Sequence, residues 1–413
     1  MNPSQTSKNI TLLIIVAALG YFVDIYDLLL FLIVKNKSLI DLGVSAEALT
    51  DTGLNLMNWQ MAGLLTGGIL WGILGDKKGR LYVLFGSILM YSLANIANGF
   101  VQDTSWYAAL RFIAGVGLAG ELGAGITLIS ESMSKENRGY GTMIVASIGL
   151  FGAVVAYFIG ENFNWRTAYF VGGGLGMLLL LLRIGVFESG MFAKIKAQEV
   201  KKGEFLMLFN HPVRFKKYIY SILIAVPVWF VVGILVGIAP AFAKPLGITE
   251  TLEPGRGVMF TYVGIAFGDF LTGTLSQIFK TRKKIVFIFL TATYAGILFF
   301  LFSDGLTANG FYALCVYFGL ATGYWVVFVT MASEQFGTNL RATVTTTVPN
   351  FVRGSLILVT ILFTYLRNHL DIIQAAILVG TLTVVLAYWA LWNLDETYGK
   401  DLDYLESSGE TGL

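Results

Sequence analysis

The chain has 413 residues, 56% of them hydrophobic and only 13% charged, with a mean hydropathy of +0.71. A soluble domain carries about a quarter charged residues, so this composition excludes an ordinary soluble fold and points to a bilayer. A net charge of +2 without a long Lys/Arg tract excludes a nucleic-acid partner, and the single cysteine, Cys315, excludes a disulfide framework or a cysteine-rich metal site.

The first nine residues are polar, and Ile10 opens an apolar stretch of about 25 residues. That is longer than a signal-peptide core and lacks a small-residue cleavage site, so it reads as a retained first helix. Apolar runs of spanning length, bounded by polar or Gly/Pro residues, predict helices near residues 10–34, 56–75, 81–101, 105–131, 140–161 and 165–186. Six more follow near 218–242, 256–279, 285–303, 306–333, 342–366 and 370–394. The expected fold is an all-α membrane protein of twelve spans in two six-helix halves: residues 1–186, a linker at 187–217, and residues 218–413 with a short tail. Twenty of the 28 Lys and Arg fall on the side holding the N-terminus, the even-numbered loops and the C-terminus, which predicts cytoplasmic termini in an inner membrane. In the linker, Lys194, Lys196, Lys201 and Lys202 alternate with Phe192, Ile195, Val200 and Phe205, the pattern of an interfacial amphipathic helix at an anionic leaflet.

The chain repeats internally. Glu131 is followed seven residues later by Arg138, and Glu334 seven later by Arg341, at an offset of 203. Gly72-Ile-Leu-Gly-Asp76 is echoed by Gly273-Thr-Leu-Ser-Gln277 at an offset of 201, so a six-helix unit is duplicated.

Residues 72–80, Gly-Ile-Leu-Gly-Asp-Lys-Lys-Gly-Arg, resemble the loop motif of the major facilitator superfamily, and Arg111-Phe-Ile-Ala-Gly-Val-Gly117 resembles its fourth-helix motif. Asp24-Ile-Tyr-Asp27, Glu188-Ser189 and Glu396-Thr-Tyr-Gly-Lys400 look like the metabolite:proton symporter and sugar-porter branches. The resemblance implies that fold, a monomer, no cofactor and no enzymatic step. Helix 5 has Gly149, Gly152 and Gly160 but no proline, so it lacks the Gly-Pro element of the antiporters, which favours uptake. Gln277 stands where the first loop copy has Asp76, so the second copy is degenerate and its gate is expected to be looser.

Asp76 and Arg80, in a glycine-flanked turn, suit charge-assisted bonds to neighbouring helix ends and are read as a conformational gate, with plain topology signalling as the alternative. Glu131, Arg138, Glu334 and Arg341 extend that network. The charges expected at mid-membrane are Asp24, Asp27, Glu121, Asp269 and Arg353, each at roughly 2.5 to 3.5 kcal/mol on insertion scales. Asp24 and Asp27, three apart, share a helical face where a proton can load and leave; a buried structural hydrogen bond or cation coordination are the alternatives for Asp27. Glu121 follows a glycine run and either exchanges a proton with helix 1 or pairs with Arg111. Arg111 is expected to organise helices 1 and 4.

Arg353 follows Pro349 and Asn350, where the proline is expected to break the helix and free carbonyls toward a cavity. It either takes a substrate's negative group or pairs with Asp269. Shifted by about 202 residues, Asp24, Glu121, Asp269 and Arg353 fall on Val226, Gly323, Gly67 and Phe151, so none is needed merely to build a half. Gln60, Trp229, Tyr324 and Trp325, with Tyr21, Trp59 and Tyr262, complete the candidate lining, ordinary packing being the alternative for each. The expectation is proton-coupled uptake of a small polar metabolite, an organic anion or zwitterion, with an exporter, a uniporter or a transport-inactive sensor as alternatives. No His/Cys/carboxylate cluster has metal-ligand spacing.

Overall fold

A computed structural model describes residues 3–78, 80–121, 123, 138–188, 205–400 and 406. The regular secondary structure of the described residues is all helix, joined by short turns, with no strand. In chain order they form α1 (Pro3–Asp41), α2 (Leu49–Lys78), α3 (Arg80–Asn98), α4 (Thr104–Leu118), α5 (Arg138–Asn162) and α6 (Trp165–Glu188). A 3-10 turn (Phe205–Leu208) leads into α7 (Pro212–Val236), followed by α8 (Pro254–Ile278), α9 (Lys283–Leu301), α10 (Ala308–Glu334), α11 (Thr338–Gly354 and Leu356–Arg367) and α12 (Ile372–Asn393). Nine of these are long and apolar enough to cross a bilayer among the described residues; α2, α3 and the described part of α4 complete twelve. Side-chain caps start several of them. Asp103 accepts from the Ser105 and Trp106 N–H groups at α4, and Asp371 from Gln374 N–H at α12.

The halves are built alike, and glycine explains how. A Cβ on Gly63 or Gly67 of α2 would overlap the carbonyls of Phe112 or Val116 on α4, so these backbones lie in direct contact. In the second half, Gly264 and Gly268 of α8 meet the carbonyls of Val316 and Leu320 on α10 in the same way. The offset between the pairs is again 201 residues, a third match to the repeat. The helix-5 glycines serve α1: Gly149 lies under Tyr21, Gly152 under the Phe22 carbonyl and Gly160 under Val34. Across the seam between the halves, Gly68 of α2 faces Asn350, and Gly354 of α11 faces Leu65.

Among the described residues, three spans of the second half are interrupted. α7 turns at Ile224 and Ala225 before Pro227, and then widens to a π-helix over Phe230–Val236. The Ile224 carbonyl released there accepts from the Tyr324 hydroxyl at 3.1 Å. α10 breaks at Gly323 and Tyr324 and resumes at Trp325. α11 runs unbroken through Pro349 and is interrupted at Ser355, so the expected break lies six residues further on than the proline placed it. α1 reaches Asp41 and α7 starts at Pro212, which puts Lys35 and Arg214 on helices rather than in loops, while α6, reaching Glu188, sets Arg183 further from the helix end. The linker segment 189–204 lies outside the described residues.

Candidate functional site

The intramembrane charges form three clusters. The first bridges the halves. Arg353 of α11, 2% exposed, brings Nη2 to 4.0 Å from Oδ2 of Asp24, which is fully buried on α1. The guanidinium also lies over the Trp325 ring at 5.9 Å, and Tyr21 and Tyr262 feel its charge. Neither Asp24 oxygen has a hydrogen-bond partner, nor do Nε and Nη1 of Arg353. The expected alternative of an Arg353–Asp269 pair is therefore replaced. Asp269 instead accepts from the Val326 N–H at 3.0 Å and caps the resumed segment of α10. A carboxylate is well placed there, where the first N–H groups of a helix lack intrahelical partners. Thr272, one turn on, takes the Gly323 carbonyl at 2.8 Å from the other side of the same break.

The second cluster lies inside the first half. Arg111 donates Nη2 to Asn95 Oδ1 at 2.6 Å and Nε to Asn98 Oδ1 at 3.2 Å, and its guanidinium covers the Tyr169 ring at 4.7 Å. It thus ties α4 to α3 and α6, and its charge also acts on Asp27 of α1, the helix the sequence suggested. Asp27, fully buried, faces Gly172 of α6, and the charges acting on it are Arg111 and Asp24. Asn95 turns its carbonyl to Arg111 and sets its amide beside Asp27 without closing a hydrogen bond, and both Asp27 oxygens are unpartnered. The two aspartates share one helix but address different arginines, one in each half.

The third cluster is closed. Arg183 of α6 donates to both oxygens of Glu121, through Nη1 at 3.0 Å and through Nη2, with the side chains 8% and 2% exposed. Glu121 is thereby held in a two-point ion pair with Arg183, not with Arg111 as the alternative had it, and lies against Gly20 of α1. Arg183 escaped the sequence reading because it stands three residues from the predicted helix end, where it reads as a boundary charge. The Tyr91 hydroxyl, unpartnered and fully buried, lies in the field of Glu121, Asp27 and Arg183.

The remaining candidates divide. Trp325 belongs to the Arg353 cluster. Gln60 donates to the Leu28 carbonyl at 3.1 Å and joins α2 to α1, while Tyr324 joins α10 to α7. The Asn350 amide spans the seam to the Ala119 carbonyl on the end of α4 at 2.8 Å and also reaches Thr346. Trp229 is 2% exposed with an unpartnered indole N–H, whereas Trp59, 47% exposed, stands on the outside.

Of the gate candidates, Glu131 and the side chains of Asp76, Arg80 and Arg138 lie outside the described residues. Glu334 is gripped by Arg282, at 2.6 and 2.7 Å, while Arg341 reaches the Phe336 carbonyl at 3.4 Å. Arg282 is offset by 202 from Arg80, so the second loop copy keeps its arginine even though Asp76 is matched by Gln277. Glu396 accepts from the Thr281 hydroxyl at 2.6 Å and from the Arg282 and Lys283 N–H groups at the start of α9. Partial burial pushes its carboxyl up, but these bonds and that from Tyr398 N–H outweigh it and hold it down at about 2.

A twelve-helix, two-fold bundle with charged clusters at its centre defines a multi-pass carrier of small molecules. The chain belongs to the Major Facilitator Superfamily, whose profile matches residues 11–360. It is similar to a putative niacin/nicotinamide transporter NiaP of Bacillus subtilis, 27% identical over 82% of this chain and 84% of that one. It is also similar to a 3-(3-hydroxy-phenyl)propionate transporter of Escherichia coli, 28% identical over 68% of this chain and 69% of the relative. Among solved structures, the proton:xylose symporter XylE superposes with a TM-score of 0.71 over 96% of this chain and 98% of its own at 17% identity, a likeness of fold. The protein is a membrane transporter of small metabolites and not an enzyme.

Proposed function

We propose that this transporter takes up a small organic anion, an aromatic monocarboxylate, together with a proton, by alternating access as a monomer in an inner membrane with both termini cytoplasmic. The observation that carries this reading is the Asp24–Arg353 pair across the seam. Three carboxylates, Asp24, Asp27 and Glu121, face three guanidiniums, Arg353, Arg111 and Arg183. A substrate carboxylate that takes Arg353 displaces Asp24 and leaves one negative charge without its cation. An ion pair at 4 Å is worth about 4 kcal/mol at an effective dielectric of 20, so uptake of one proton by the Asp24/Asp27 pair restores the balance and lets the seam close. Glu121, already satisfied by Arg183, is assigned to structure rather than to coupling. Trp325, Tyr21 and Tyr262 beside Arg353 suit a flat ring, and the names of the Bacillus and Escherichia relatives point the same way. Asp76, Arg80, Glu131, Arg138, Glu334 and Arg341 are assigned, with Arg282, to a lock at the end of the bundle that holds the termini.

The test is accumulation of radiolabelled nicotinate, 3-(3-hydroxyphenyl)propionate and xylose in proteoliposomes under an imposed pH gradient, with binding measured in parallel. Uphill uptake of a carboxylate only under an inward proton gradient is expected. Asp27→Asn should abolish accumulation and leave binding, and Asp24→Asn, by releasing Arg353, should bind the carboxylate up to about tenfold more tightly yet fail to accumulate it. Gradient-independent accumulation in either variant would sink proton coupling, and an export-only or non-accumulating native protein would favour the exporter, uniporter or sensor readings.

A further inference from the structure

Lys35 of α1 is a buried cation with no part in the mechanism above. It is 3% exposed, its stem packs over Gly53 of α2, and no carboxylate pairs with it among the described residues. Three other cations at this end are paired with carboxylates, Lys37 with Glu161, Arg166 with Asp41, and Arg367 with Asp51, and Arg256 lies over the Tyr312 ring. The Lys35 ammonium donates instead to the carbonyl of Gly237, in the other half, at 2.6 Å.

That carbonyl is free for a local reason. Gly237 ends the π-helical stretch of α7, and the N–H that would close a tight turn on it belongs to position 240, which is proline. The next donor, Ala241 N–H, goes to Ile238 at 2.9 Å. A buried carbonyl without a donor and a buried ammonium without an anion thus satisfy each other across the seam. The same end of the seam holds the Thr360–Asn58 hydrogen bond at 2.7 Å and the Arg367–Asp51 pair, while Gly255 of α8 packs on Ile33. Of these, the Lys35 bond is the buried, charge-assisted one.

We propose that Lys35 is the latch of the bundle end opposite the termini: its bond to Gly237 forms when that end closes and must break whenever it opens. Lys35 is a positioning residue, since it sets the balance of conformations without touching substrate. Its action depends on Pro240, which keeps the Gly237 carbonyl available, and is independent of the identity of substrate or coupling ion.

The experiment places spin labels at the exposed positions Ser45 and Thr249, one in each half at this end, in a Cys315→Ser background in nanodiscs. Pulsed electron spin resonance then reads the distance between them. Lys35→Met is expected to raise the ratio of long to short distances by roughly tenfold, the scale of one hydrogen bond to a charged group, and Lys35→Arg to keep the native distribution. An unchanged distribution in monodisperse Lys35→Met overturns the latch, as does a shift of equal size in Lys35→Arg. Should Lys35→Met fail to fold, Pro240→Ala decides: the added N–H competes for Gly237, so the long distance should gain population, and no gain overturns the latch.

Discussion

The two halves share a backbone plan and differ in where they keep charge. Both rest on a glycine seam, α2 on α4 and α8 on α10, and the second closes the end that holds the termini with the Arg282–Glu334 pair. The first half then buries three carboxylates and two arginines in its interior, while the second contributes Arg353 and spends Asp269 on a helix end. Duplication therefore supplied the scaffold, and divergence placed most of the buried titratable groups in one copy. A buried charge persists only where another group answers it, and three of the answers to carboxylates here are a fixed ion pair, a backbone cap, and a pair shared across the seam.

These three kinds should separate by mutation. The largest effect is expected at Glu121→Gln, which leaves Arg183 buried without its anion and should lower stability by about 3 to 5 kcal/mol. Thermal unfolding in detergent measures this, and the double change Glu121→Leu with Arg183→Met should recover most of the loss; loss of proton coupling at native stability would instead return Glu121 to the coupling group. Asp269→Asn keeps an acceptor for Val326 N–H but loses the charge, so a smaller cost of about 1 kcal/mol is expected, with uptake retained. A collapse of uptake at unchanged stability would move Asp269 from cap to substrate contact.

The smallest effect belongs to Glu396. Its carboxyl sits at about 2, below the usual 4.5, so its stabilising bonds are fully present above pH 4.5 and fade as pH falls toward 2. The difference in melting temperature between native protein and Glu396→Gln should be constant from pH 7 to about 5 and shrink below that. A difference that persists undiminished toward pH 2 would show that the carboxylate charge contributes nothing.

Twelve spans, the duplication and the burial of Asp24, Asp27 and Arg353 were legible because hydropathy and repeat offsets depend on composition along one dimension. Pairing was not. Arg183 and Lys35 lie near predicted helix ends, where hydropathy cannot distinguish a boundary charge from a buried one, and helices longer than expected settled both. Arg282 was hidden by a one-residue change of offset, from 201 at Gln277 to 202. A second difficulty was Pro349, which marks a helix interior without breaking it, while the π-turn of α7 has no sequence signature beyond the prolines that flank it. The assignment of Asp269 to a cap needed the break at Gly323, which only the fold reveals.

The glycine seams have a mechanical consequence. Where one backbone rests on another with no layer of side chains between them, there is nothing compliant to shear, so α2 with α4, and α8 with α10, act as stiff double beams. Strain introduced at one end of a beam reaches the other nearly undiminished. Lengthening either beam's contact by one methyl group, as in Gly264→Ala, would pry it apart along its length instead of denting it locally.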